Sequence, residues 1–143
     1  MIETIEEAEQ YHEKELQKVA HFLTHKESSE LSLPNKKSCE FQKWLDRYAE
    51  VIAEVLGEDS YKNIEIMHTF WHTEYKKLYE TLYDTQKNRF FTILFGNRRT
   101  LDDRELKQAQ HHYEELKEIT NNLLKALNTL KTKVENMKEG LKL

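Results

Sequence analysis

The chain carries one cysteine, Cys39, and a His-x-x-x-His pair, His68 and His72, about one helix further along. A thiol and two imidazoles are ligands for zinc, which takes soft or borderline donors in a tetrahedron and so asks for a fourth. His12 is the candidate, because it falls on an apolar stripe and therefore faces inward.

The spacing of four between His68 and His72 puts both rings on one helical face, a turn apart, where they can share an ion without bending the backbone. Spacing alone decides little. His21 and His25 form a second such pair, but they are turned well away from His12 on the same helix and read as surface residues. His111 and His112 read as part of a solvated helix and are left unassigned. Burial separates the pairs, since an unpartnered buried imidazole is costly. Taken singly, Cys39 is a small buried hydrophobe and His12 a satisfied core histidine. Cys39 falls in the first turn of a helix, where the dipole favours thiolate, the form that binds metal and reacts with oxidants.

The composition favours helices as the elements that position these groups. Of 143 residues, 34% are charged and 38% hydrophobic, with only three Gly and one Pro, which suits an all-α chain with solvated outer faces. One domain over residues 1–143 is expected, large enough for a core without disulfides. A net charge of −4 with dispersed basic residues argues against a nucleic-acid partner. No apolar run approaches the ~20 residues that span a bilayer, and the acidic N-terminus lacks signal-peptide character, so no membrane partner and a cytoplasmic location are expected. A lone cysteine cannot make an internal disulfide.

The periodicity predicts an antiparallel four-helix-type bundle. Ile5, Ala8, His12, Leu16, Val19 and Leu23 form the first stripe. Residues 28–37, with the only proline, break the pattern. Ser38 is the expected N-cap of a second helix that buries Phe41, Leu45, Tyr48, Ile52 and Val55 and stops at Gly57. A third follows Ser60 and buries Ile64, His68, Trp71, Tyr75, Leu78 and Leu82, with His72 flanking. The connecting segment 84–100 fits either a short helix or a buried connection. From about 101 to 141 one long helix buries Ala109, Tyr113, Leu116, Thr120, Leu123, Leu127, Leu130, Val134, Met137 and Leu141. At roughly 60 Å it must overhang the bundle or pair elsewhere, and its heptads make a homodimer the expected assembly.

His12, then Cys39 in Cys-x-Phe-x-x-Trp-Leu, then His68-x-x-x-His72 resembles the bacterial chemoreceptor zinc-binding (CZB) domain, in order and approximate spacing. The resemblance covers roughly residues 5–82 and implies a Zn2+ site of one Cys and three His, formed by His12, Cys39, His68 and His72. It departs from the family pattern at Gln42, where Gly is usual, and at Leu16, where Trp is common. It further implies sensing of zinc, or of oxidants such as hypochlorous acid through Cys39, beside chemoreceptor or diguanylate cyclase signalling proteins. No output domain accompanies the motif here, so a free-standing sensor or a regulatory module acting on another protein is expected.

Two rival readings follow from the same residues. A structural adaptor would use the terminal heptads as a partner surface and leave the histidines incidental. A hemerythrin-like di-iron site finds fragments in His68-x-x-x-His72 and His111-x-x-x-Glu115, but no His has Asp five residues later. Catalysis is not expected, because four protein ligands close a zinc site and neither a paired nucleophile nor a phosphate-binding glycine loop is present.

Overall fold

The computed structural model describes residues 2–25, 39–82 and 103–141. Among them are five helices and no strand: α1 (Ile2–His25), α2 (Glu40–Arg47), α3 (Ala49–Leu56), α4 (Glu58–Leu82) and α5 (Asp103–Leu141). The loop at 28–37, Ser38 and the connecting segment 84–100 lie outside the described residues, as do the side chains of His25, Leu82 and Leu141.

The second helix differs from the continuous one expected. It breaks at Tyr48, whose φ of −109° and ψ of 21° leave the helical basin and divide it into α2 and α3. The hydrogen-bond ladder still crosses the break, with the Tyr48 amide donating to Trp44 at 3.0 Å and the Ile52 amide to Tyr48 at 2.9 Å. The result is a bend within one rod. The N-cap is Cys39, one residue later than expected. At the far end Gly57 has φ 91° and ψ 150°, a region closed to side chains, and this single residue turns the chain straight into α4 at Glu58. No further linker separates the helices, and Glu58 and Asp59 suit the positive end of the α4 dipole.

The core falls into two apolar clusters, and their membership gives the topology. One holds Ile5 and Ala8 of α1, Phe41, Trp44, Leu45 and Ile52 of α2 and α3, Ile64 of α4, and Leu123, Leu127, Leu130 and Val134 of α5. The other holds Val19, Trp71, Tyr75, Leu78, Ala109 and Leu116. Sequence numbers therefore rise from the first cluster to the second on α1 and α4, and fall on α5. The bent α2–α3 rod runs opposite to α1, so the order is up, down, up, down, an antiparallel four-helix-type bundle.

α5 has 39 residues, but its buried stripe runs from Ala109 to Val134, about 38 Å of axis. That matches α1 and α4 in length. Met137, expected on the stripe, is 52% exposed. Among the described residues no helix is long and apolar enough to cross a membrane.

Candidate metal centre

Between the two apolar clusters the bundle has a polar layer. His12 on α1 lies between Ala8 and Val19, His68 and His72 on α4 lie between Ile64 and Leu78, and Thr120 on α5 lies between Leu116 and Leu123. Cys39 caps α2 at the same level. His12, His68 and Thr120 have no solvent exposure, and His72 and Cys39 are buried too. Such a layer sacrifices apolar packing in the middle of a core, and it needs internal partners to be tolerated.

All four residues expected from the sequence come together there. One ligand atom from each of His12, Cys39, His68 and His72 lies within 4.8 Å of the other three. The Cys39 Sγ is 3.6 Å from His68 Nε2, and His72 Nε2 is 3.0 Å from the same atom. The i,i+4 spacing on a straight α4 accounts for the second distance. The first depends on the start of α2 being laid across α4.

Hydrogen bonds to the outer ring nitrogens orient the imidazoles. His12 Nδ1–H donates to the Ala8 carbonyl at 2.7 Å, so only Nε2 can serve as a ligand, and that buried atom has no hydrogen-bond partner. His68 Nδ1–H donates to Gln42 Oε1 at 2.9 Å, which turns its Nε2 toward the cluster as an acceptor. Aromatic rings wall the site: Trp71 meets the His12 ring edge-on with centroids 4.6 Å apart, and Phe41 meets His68 in the same way at 5.1 Å. These edge-to-face contacts hold the imidazoles in fixed planes.

The electrostatics keep the histidine available. Burial is the main cause that lowers the His12 pKa from 6.5 to about 4, and the neighbouring His72 adds to it against the opposing Ala8 bond. His12 is therefore neutral near pH 7, the form that ligates metal. For Cys39 the outcome differs from the sequence expectation. Burial raises the thiol above its ordinary pKa, and the amides of Gln42 and Phe41 at the start of α2 offset this only in part. No side-chain hydrogen bond closes the cap. The helix dipole alone thus does not make a thiolate here, and a cation in the cluster would be needed to hold one.

The fit to a metal ion rests on this donor chemistry. Three imidazoles and one thiol converge in a water-poor layer, one lone-pair nitrogen there is orphaned, and the outer ring nitrogens of His12 and His68 are already tied down. The group can hold a metal ion, and four protein ligands would leave it coordinatively closed. By contrast, the di-iron alternative loses support, because His111 and Glu115 are exposed on the outer side of α5. His21 is exposed as expected, while His112 is half-buried and bonds Glu74 Oε2 at 3.1 Å.

Sequence reasoning missed several polar residues in and beside the layer. Glu15, next to the expected stripe position Leu16, is buried and accepts a hydrogen bond from the Tyr75 hydroxyl at 3.2 Å. The Trp71 indole donates to Thr120 at 2.8 Å. Gln42, noted only as a departure from a family pattern, is buried against His68. No protein-family model matches the chain, and no curated protein and no solved structure matches it either.

Proposed function

We propose that the chain is a zinc-binding regulatory bundle of the chemoreceptor zinc-binding (CZB) type, with His12, Cys39, His68 and His72 as the ligands. The observation that carries this reading is the buried, unpartnered Nε2 of His12 within a cluster of three further donors. A buried lone pair without a partner costs on the order of 1–3 kcal/mol, and ligation removes that cost. One thiolate with three neutral imidazoles in a tetrahedral layer suits zinc.

The signal in this reading is a change in how the helices are tied. The ligands join α1, α2 and α4, while α5 packs on α1 and α4 at the same level. Two inputs converge on one site. Zinc occupancy is the first, and it weakens in acid because the imidazoles must be neutral to bind. Oxidation of Cys39 is the second: a two-electron oxidant such as hypochlorous acid turns the thiolate into a sulfenic acid, which removes the ligand's charge and frees the start of α2. A cleft of about 300 Å³ lined by Ala8, Tyr11, Cys39 and Phe41 supports access to the sulfur. A second copy of the chain, or a signalling protein, would read the outer face of α5.

Elemental mass spectrometry on protein purified without a histidine tag or added metal tests the reading. One zinc per chain, lost in both Cys39→Ala and His72→Ala, is the expected result. A metal-free protein, equally stable in all three forms, would leave a helical adaptor.

A further inference from the structure

Gln42 lies in the first turn of α2, is 7% exposed, and spends its whole side-chain amide on three partners. Its Oε1 accepts from His68 Nδ1–H at 2.9 Å, and its Nε2 donates to Asp46 Oδ1 at 2.8 Å and to Glu65 Oε1 at 3.1 Å. The Tyr61 hydroxyl donates to the same Glu65 oxygen at 3.1 Å. Carboxylates accept only, so both must face the NH2 end of the amide, and the carbonyl end is left for His68. The ring can answer that carbonyl only with Nδ1–H, which places the lone pair on Nε2, the atom 3.6 Å from Cys39 Sγ. Without the two carboxylates the amide could flip, present NH2 to the ring, and select the opposite tautomer.

We propose that Gln42 is a positioning residue for the metal centre, fixing the tautomer and plane of His68 and passing to it the negative charge of Asp46 and Glu65. This rests on the reading of the four-residue cluster as a zinc site. Polarisation by two carboxylates through one amide makes Nε2 a better donor, as carboxylate partners of metal-bound histidines do directly. The same bonds tie α2 to α4 at the point where Cys39 enters the cluster, so one side chain sets both ligands that come closest across the two helices.

The test compares wild type with Gln42→Met, which keeps the length and bulk of the side chain but loses the acceptor. Zinc affinity is measured by competition with a chromophoric chelator, and the His68 ring nitrogens are followed by 15N spectroscopy in the protein as purified. The expected result is zinc binding about 10- to 100-fold weaker in the variant, with loss of the protected His68 Nδ1 proton seen in wild type. Glu65→Gln, which removes one of the two carboxylates holding the NH2 end of the amide without touching the core, gives a smaller weakening in the same direction and covers the case in which Gln42→Met fails to fold. Wild type and both variants binding zinc equally, with the Nδ1 proton unchanged, would overturn the role of Gln42 while leaving the zinc site intact. A wild type that binds no zinc removes the site itself, and the role of Gln42 with it.

Discussion

Cys39 Sγ lies 3.6 Å from His68 Nε2, the separation that two ligands of one tetrahedral zinc would have. Bond lengths of about 2.3 Å to sulfur and 2.05 Å to nitrogen at the tetrahedral angle put the two atoms about 3.6 Å apart, and two nitrogens about 3.3 Å apart. The His68 and His72 nitrogens, at 3.0 Å, are slightly inside that figure. Packing and outer hydrogen bonds alone thus hold these two donor pairs near ligand spacing, and all four donor atoms lie within 4.8 Å of one another.

Chelation is accordingly expected to destabilise the bundle without abolishing its helices. With free zinc at a thousand times its Kd, binding adds about 4 kcal/mol to folding stability, which for a domain of this size corresponds to a melting temperature on the order of 10 °C higher. Thermal melts with zinc and with a strong chelator would show the difference. In Cys39→Ala the difference between the two melts should shrink, since the site loses its one anionic ligand. Coincident melts in wild type would contradict the site.

The hydrogen bond from Trp71 to Thr120, at 2.8 Å, links α4 to α5 within the polar layer, and Thr120 in turn donates to the Leu116 carbonyl at 2.6 Å. Thr120→Val preserves shape and removes the acceptor. It should cost about 1–3 kcal/mol because the indole N–H is left buried and unpaired. Urea unfolding followed by tryptophan fluorescence measures it, and zinc stoichiometry should stay at one per chain, as Thr120 is not a ligand. A neutral result would mean that the indole finds another acceptor.

Much of this arrangement was readable from periodicity. The stripes named on α1, α4 and α5 are buried nearly as spaced, because a helix in a bundle has to hide one face and hydrophobic spacing records which one. His12 could be placed inward for that reason, and His68 and His72 followed from their spacing. What periodicity could not show is pairing across helices. Gln42 and Glu15 are polar and fall outside the apolar stripes, yet each is buried because a specific partner, His68 or Tyr75, meets it from another helix. The thiol of Cys39 was misjudged for a similar reason: its place at a helix start is a local fact, whereas the burial that raises its pKa depends on α1 and α4 closing over it. The break at Tyr48 left no signal either, since neither Gly nor Pro marks it.

Acid should act on the contact between α4 and α5 through Glu74. Burial alone would raise its pKa, but Lys77 and His112 outweigh that and hold it below the usual carboxylate value of 4.5. A carboxyl with a lowered pKa in the folded state stabilises the fold above the unfolded value, and the unfolded chain takes up the proton first as the pH falls. The Glu74 contribution is therefore complete above about pH 5 and is lost as the pH drops through 4.5 and the lower folded pKa. Glu74→Gln should cost about 0.5–1 kcal/mol at pH 6, with the gap to wild type closing as the pH falls below the lowered folded value. Urea midpoints for the two proteins across that range decide it, and a gap that stays constant would show that the ionised pair contributes nothing.

Gly57 supplies a test of the connection between α3 and α4 that leaves the metal centre alone. Its φ of 91° and ψ of 150° are open to glycine and strained for any other residue, while a Cβ built there meets nothing within 4 Å. The cost of Gly57→Ala is thus conformational and not steric, on the order of 1–3 kcal/mol. Because the Gly57 amide also bonds Ala53 O at 2.8 Å, the turn cannot relax into helix without moving the start of α4. We expect a lower unfolding midpoint with unchanged zinc content and affinity, since Gly57 lies at the end of the α2–α3 rod away from Cys39. Should zinc affinity fall along with stability, the two ends of that rod are mechanically coupled, and the direct tight turn into α4 is itself part of what sets Cys39 against His68.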